Sequence, residues 1–174
     1  NNVMHTHRIM AGLLAKALQC NQTRVFNVLF SDTTSNLRRE GVSSTHHTLT
    51  HEEPVDPELG HQKEVAWFAQ QSMIAWREFL DELESIPEGD GTLLDNCMVM
   101  AHSDCSIAKA RAVEGIPIMF GGGGGRIRNG IHLAGNGDPV SRVGLTVQQA
   151  MGLQVDRWGT LSMETNRTLT ALLA

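Results

Sequence analysis

Apolar residues Ile9, Met10, Leu13, Leu14, Ala17 and Leu18 recur at spacings of three and four along residues 3–20, which predicts an amphipathic helix stopped by Asn21. Residues 23–30, TRVFNVLF, are β-branched and aromatic and too short for a typical helix, so they predict a buried strand. Residues 31–60 turn polar and lose any sustained period, as a functional or mobile segment does. The stripe Val65, Phe68, Ala69, Ser72, Trp76, Phe79, Leu80 and Leu83 then predicts a packing helix over 62–86, ended by Pro87. After a turn at 88–91, residues 96–101 and 116–120 read as two more buried strands, the second starting unpaired or at an edge because of Pro117. Residues 141–151 predict a short helix with Val143, Val147 and Ala150 on one side. Helices interleaved with apolar strands imply an α/β fold: a mostly parallel buried sheet with flanking helices. No repeat or linker interrupts the pattern, so one domain is expected over residues 1–174.

Composition narrows the partners. With 41% hydrophobic and 19% charged residues the chain has the material for a core, and a net charge of −5 offers no basic field for nucleic acid. Its longest apolar runs fall far short of the roughly 20 residues that span a bilayer. The expected partner is a small-molecule or polymer substrate, with the remainder of its own chain or another protein subunit as the alternative. The chain opens on Asn1 inside a helix pattern, so it is expected to be a fragment of a longer polypeptide. Cys20, Cys97 and Cys105 lack metal-binding spacing and read as small buried residues.

Two stretches carry candidate chemistry. In THHTLTHE, residues 45–52, His47 and His51 stand four apart, so one helical turn would put both imidazoles on the same face, able to grip one metal ion. In a strand the same spacing spans roughly 13 Å and the pair is lost. Glu52 and Glu53 could add a carboxylate ligand or fix an imidazole tautomer. The second stretch, His102-Ser103-Asp104, follows a predicted strand, where α/β proteins gather their ligands. There Asp104 would serve as a metal ligand or general base, His102 as a ligand or acid/base, and Ser103 as a nucleophile or donor; a turn-capping role for the Asp or Ser is the structural alternative. Adjacent Ser, His and Asp cannot form a convergent triad, and a serine-protease reading is rejected. The run Gly121 to Gly125 lacks the pattern of a phosphate loop and reads as a strand-end turn, with Arg126 and Arg128 in solvent. Asn129-Gly130 reads as a tight turn leading to residues 131–133. Imidazoles favour zinc; calcium or magnesium would need more oxygen ligands.

Several segments occur in an order that resembles one family: LAKALQCNQTR at 14–24, HHTLTH at 46–51, PEGDGTLLDN at 87–96, GIPI at 115–118 before the glycines, VGLTVQQAMG at 143–152 and RWGT at 157–160. Over nearly its whole length the chain resembles the C-terminal part of the bacterial HXXSHH family, exported proteins of uncharacterised function. The resemblance implies a periplasmic or extracellular address. His47, Thr50 and His51 fall on the first histidine, the serine and the second histidine of that motif, and Glu52 replaces the third histidine. In layout the family is similar, more distantly, to alkaline-phosphatase and sulfatase-like hydrolases, implying metal-dependent phosphoester or sulfoester hydrolysis with His47, His51, Glu52 and Asp104 around a divalent ion. Where relatives carry a histidine before the GIPI segment, this chain has KARA at 109–112. That departure implies the alternative, a non-catalytic binding or structural subunit with a degenerate metal site.

Overall fold

The computed structural model describes residues 2–174, a mixed α/β chain with five α-helices and two small antiparallel sheets. It divides into two compact units, one of residues 2–93 and 103–116, the other of residues 94–102 and 117–174.

The first unit is built on two helices, α1 (Asn2–Gln19) and α3 (Lys63–Glu84). They bury Ala11 and Ala15 of the one and Phe68, Ala75, Phe79 and Leu83 of the other; on α1 the buried face is not the stripe expected, since Ile9, Met10 and Leu13 are exposed. The contacts advance together along both helices: the His7 ring bonds the Ala75 carbonyl at 2.8 Å, Arg8 forks onto Glu78 at 2.7 and 3.0 Å, and Gly12 lies beside Glu82. The helices therefore run parallel. Between them, inside the stretch expected to be irregular, lies a short helix, α2 (His46–Glu52). After α3 a two-residue hairpin pairs β1 (Pro87–Glu88) with β2 (Gly91–Thr92), and the one-turn helix α4 (Leu93–Asn96) follows.

The strand expected at 23–30 does not form. Its residues belong to no ladder, and Val25 and Leu29 are 85% and 78% exposed. A strand is stabilised by a neighbour that completes its hydrogen bonds, and β propensity alone supplies none.

In the second unit β3 (Met98–His102) pairs with β4 (Ile118–Gly122), Met98 opposite Gly122 and His102 opposite Ile118. Pro117 stands just outside the ladder, where its missing N–H costs nothing. This pairing is antiparallel. A parallel return normally requires a crossover helix, and residues 103–117 provide only one 3-10 turn, Ala108–Ala110. The larger parallel buried sheet expected from the sequence is not formed by these two ladders. Gly122, at φ +72°, ends β4 where a Cβ would overlap the carbonyl oxygens of Cys97 and Leu94, and Arg126 and Arg128 are exposed. The glycine run is thus a strand-end turn. Residues 131–133, to which the Asn129-Gly130 turn was expected to lead, form no strand and are exposed.

Helix α5 (Ser141–Ala150) packs by its buried Leu145 and Thr146. The Thr146 hydroxyl is fully satisfied, donating to Arg142 O at 2.7 Å and accepting from Leu169 N at 2.8 Å. Among the described residues no helix is long and apolar enough to cross a membrane.

Candidate functional site

The helix α2 exists because its ends are closed from outside. At its start the Thr45 hydroxyl accepts from Thr48 N at 3.2 Å, a standard N-cap. At its end the Gln62 amide donates to the carbonyls of Leu49, Thr50 and Glu53 at 3.1, 3.2 and 2.8 Å, which satisfies acceptors that a seven-residue helix leaves open. Glu53 returns the favour to α3: its carboxylate accepts from Glu64 N and Val65 N at 2.8 and 3.0 Å, a negative charge on a helix N-terminus. Lys109, from the 103–116 excursion, donates to Glu53 O at 3.1 Å. Glu53 is therefore engaged as a cap, and the ligand role considered for it is not the one its carboxylate performs here.

This junction sets the histidines. His47 and His51 lie on one face of α2 with ring centroids 4.9 Å apart at 75°, the helical arrangement that the spacing required. His47 Nδ1 lies 3.2 Å from Thr33 O; donation there places the proton on Nδ1 and leaves the Nε2 lone pair of the neutral ring for a ligand. Thr50 is buried, and its hydroxyl donates to His47 O at 2.7 Å, bracing the turn from inside. Glu52 is the exposed last residue of the helix.

His46 faces the other way. It stacks on Phe68 at 4.4 Å and 13°, beside a pocket of about 30 Å³ lined by Phe30, Leu37 and Trp67, room for one or two waters only. Burial pushes its pKa down, and the neighbouring His47 adds to this. It is a packing histidine.

The His102-Ser103-Asp104 run falls on two units. Ser103 and Asp104 open the excursion that belongs to the first unit and are exposed. Asp104 borders the Cys105 thiol, whose pKa is raised first by burial and then by that carboxylate. Cys97 and Cys105 are half-buried and Cys20 exposed, so none of the three is the fully buried residue expected.

His102 closes β3 in the second unit, on a groove of about 320 Å³, a volume in the range of small-molecule sites. Met100 and Ile118 line it beside Trp158, which is 49% exposed. The indole rests on α5 at Gly144, where a Cβ would come within 2.9 Å of its ring nitrogen. Trp158 and Thr165 exchange main-chain bonds at 2.9 and 2.8 Å, and Ser141 ties this loop to α5 through the Met163 carbonyl.

No family model, curated protein or solved structure matches this chain. The site is read from its own chemistry. Two imidazoles on one helical face suit two of the four positions around zinc, whereas structural sites use four protein ligands and catalytic sites three. Among the described residues no group of three or more His, Cys, Asp or Glu side chains is placed to hold an ion. The junction through Gln62, Glu53 and Lys109 had no local signature, since its bonds span 9 to 56 residues.

Proposed function

We propose that this chain is a hydrolase-like domain of an exported bacterial protein of the HXXSHH kind, resembling part of an alkaline-phosphatase or sulfatase-like fold with its parallel sheet. Its contribution is a two-imidazole handle for a divalent metal ion, with zinc favoured. The observation that carries this reading is the shared face of His47 and His51, 4.9 Å between ring centroids. Both would ligate, with Glu52 and Asp104 as further oxygen donors, and the Thr33 carbonyl would hold the His47 ring in the binding tautomer. When bound, such an ion polarises a phosphoester or sulfoester oxygen and offsets charge that develops on it. Ser103, beside Asp104 in the first unit, is proposed as the hydroxyl donor, and His102, which ends β3 in the second unit, is proposed by itself as an acid/base. The chain's own part is to hold two nitrogen ligands on a helix fixed at both ends.

A second reading has its own support. The lack of a third ligand at the pair among the described residues favours a binding or structural subunit whose metal site is degenerate.

Calorimetric titration of the purified chain with zinc tests the first reading. Saturable uptake of one ion is expected, weakened about tenfold or more by His47→Ala or His51→Ala. Absence of uptake, or uptake indifferent to both substitutions, rejects it. Hydrolysis of p-nitrophenyl phosphate or sulfate by the zinc-loaded chain separates the two readings: uptake without turnover leaves the binding subunit.

A further inference from the structure

Residues 23–30 have the composition of a strand and lie where a strand would, yet nothing completes them. Phe26 sets its ring edge-on to Phe79 of α3 at 5.6 Å, and Phe30 meets His7 of α1 at 5.5 Å. Since His7 also reaches Ala75, the segment descends α3 as its own numbering rises, running opposite to the two parallel helices. Strands in an α/β layer lie against their helices in this sense. The opposite face is open: Val25 and Leu29 are exposed large apolar residues. Among the described residues the main-chain N–H groups of residues 26–31 donate no hydrogen bond. A row of open N–H groups flanked by apolar side chains is a template for another strand.

We propose that this segment is an interface at which two copies of the chain pair as antiparallel strands about a twofold axis near Val28. Charge selects a second copy as the occupant. Arg24 precedes the apolar stretch and Asp32 follows it, both exposed, so antiparallel pairing of the segment with itself brings Arg24 of one copy opposite Asp32 of the other at both ends. A parallel pairing would set like charges together. The same register places Phe26 opposite Phe30, keeping the rings of both copies on the helix side and Val25 and Leu29 of both on the other. Pairing would satisfy the open main-chain groups and cover part of the apolar edge.

Sedimentation equilibrium across a wide concentration range tests this, together with hydrogen exchange. The chain is expected to dimerise, and amides 26–30 to gain protection as the dimer fills. Arg24→Asp is expected to weaken the dimer about tenfold by replacing two attractive contacts with repulsive ones. The double variant Arg24→Asp with Asp32→Arg is expected to restore it, which a merely misfolded variant could not do. A chain monomeric throughout, a dimer whose amides 26–30 exchange as in the monomer, or a double variant as weak as the single one would each overturn the proposal.

Discussion

The α2 turn and the β3 end both present an imidazole, and they are held by different means. His47 and His51 stand on a seven-residue helix, below the length at which a helix sustains itself, and it is kept by side chains: Thr45 at one end and Gln62 at the other. His102 stands at the end of a five-residue ladder kept by main-chain bonds and by the close approach of Gly122 to the 94–97 turn. A site built on side-chain caps is sensitive to single polar residues far along the chain. A site built on a ladder is sensitive to backbone geometry at one glycine.

Substitution separates the two. Gly122→Ala would place a Cβ onto two carbonyl oxygens at a backbone φ of +72°, and the expected loss is about 3 kcal/mol or more, confined to the second unit. Amide exchange in residues 98–102 should accelerate while α1 and α3 stay protected. Equal loss of protection in α1 and α3 would show that the backbone strain is not local.

Gln62→Ala is the milder converse. It removes three donor contacts from the end of α2, with an expected cost of about 1–2 kcal/mol in thermal or urea unfolding. Zinc uptake should fall with it, although Gln62 is no ligand; the His102 ladder should not change. Unaltered stability would mean that α2 is held without this cap.

The smallest effect concerns the helices beneath α2. Arg8 donates to Glu78 through two nitrogens and holds its carboxyl below the ordinary 4.5. A depressed folded pKa means that the unfolded chain takes up the proton first as the pH falls. The contribution is therefore complete above the ordinary carboxylate value and is lost as the pH falls through the lower folded value. Being exposed, the pair is worth little and is screened by salt. The difference in urea midpoint between the chain and Arg8→Ala should be small at neutral pH and vanish in acid; a difference growing in acid would contradict the assignment.

Much of the helical framework was legible because burial repeats along it. Phe68, Phe79 and Leu83 on α3 stand where apolar spacing put them, whereas α5 buries Leu145 and Thr146 rather than the expected side of Val143, Val147 and Ala150. The strands at 98–102 and 118–122 were legible as apolar runs, and Pro117 marked the start of the second. Their direction was not, because it depends on what the connection contains. Residues 23–30 carry the same kind of apolar signal and form no ladder, since pairing is a property of two segments and a pattern describes one. At the candidate site, the four-residue spacing of His47 and His51 stated its own condition, a helical turn, and α2 meets it. What made that turn helical lay outside the motif, in Gln62 and Thr45. His46 differs from His47 by one position, yet the helix turns it onto Phe68.

The most direct test of the central claim is nitrogen-15 NMR of the histidine rings during zinc addition. If α2 is a metal handle, the Nε2 resonance of His47 and one ring nitrogen of His51 move together and saturate at one equivalent, while Nδ1 of His47 keeps its proton toward Thr33. Rings that titrate independently, or move no more than His5 on the open face of α1, would contradict it.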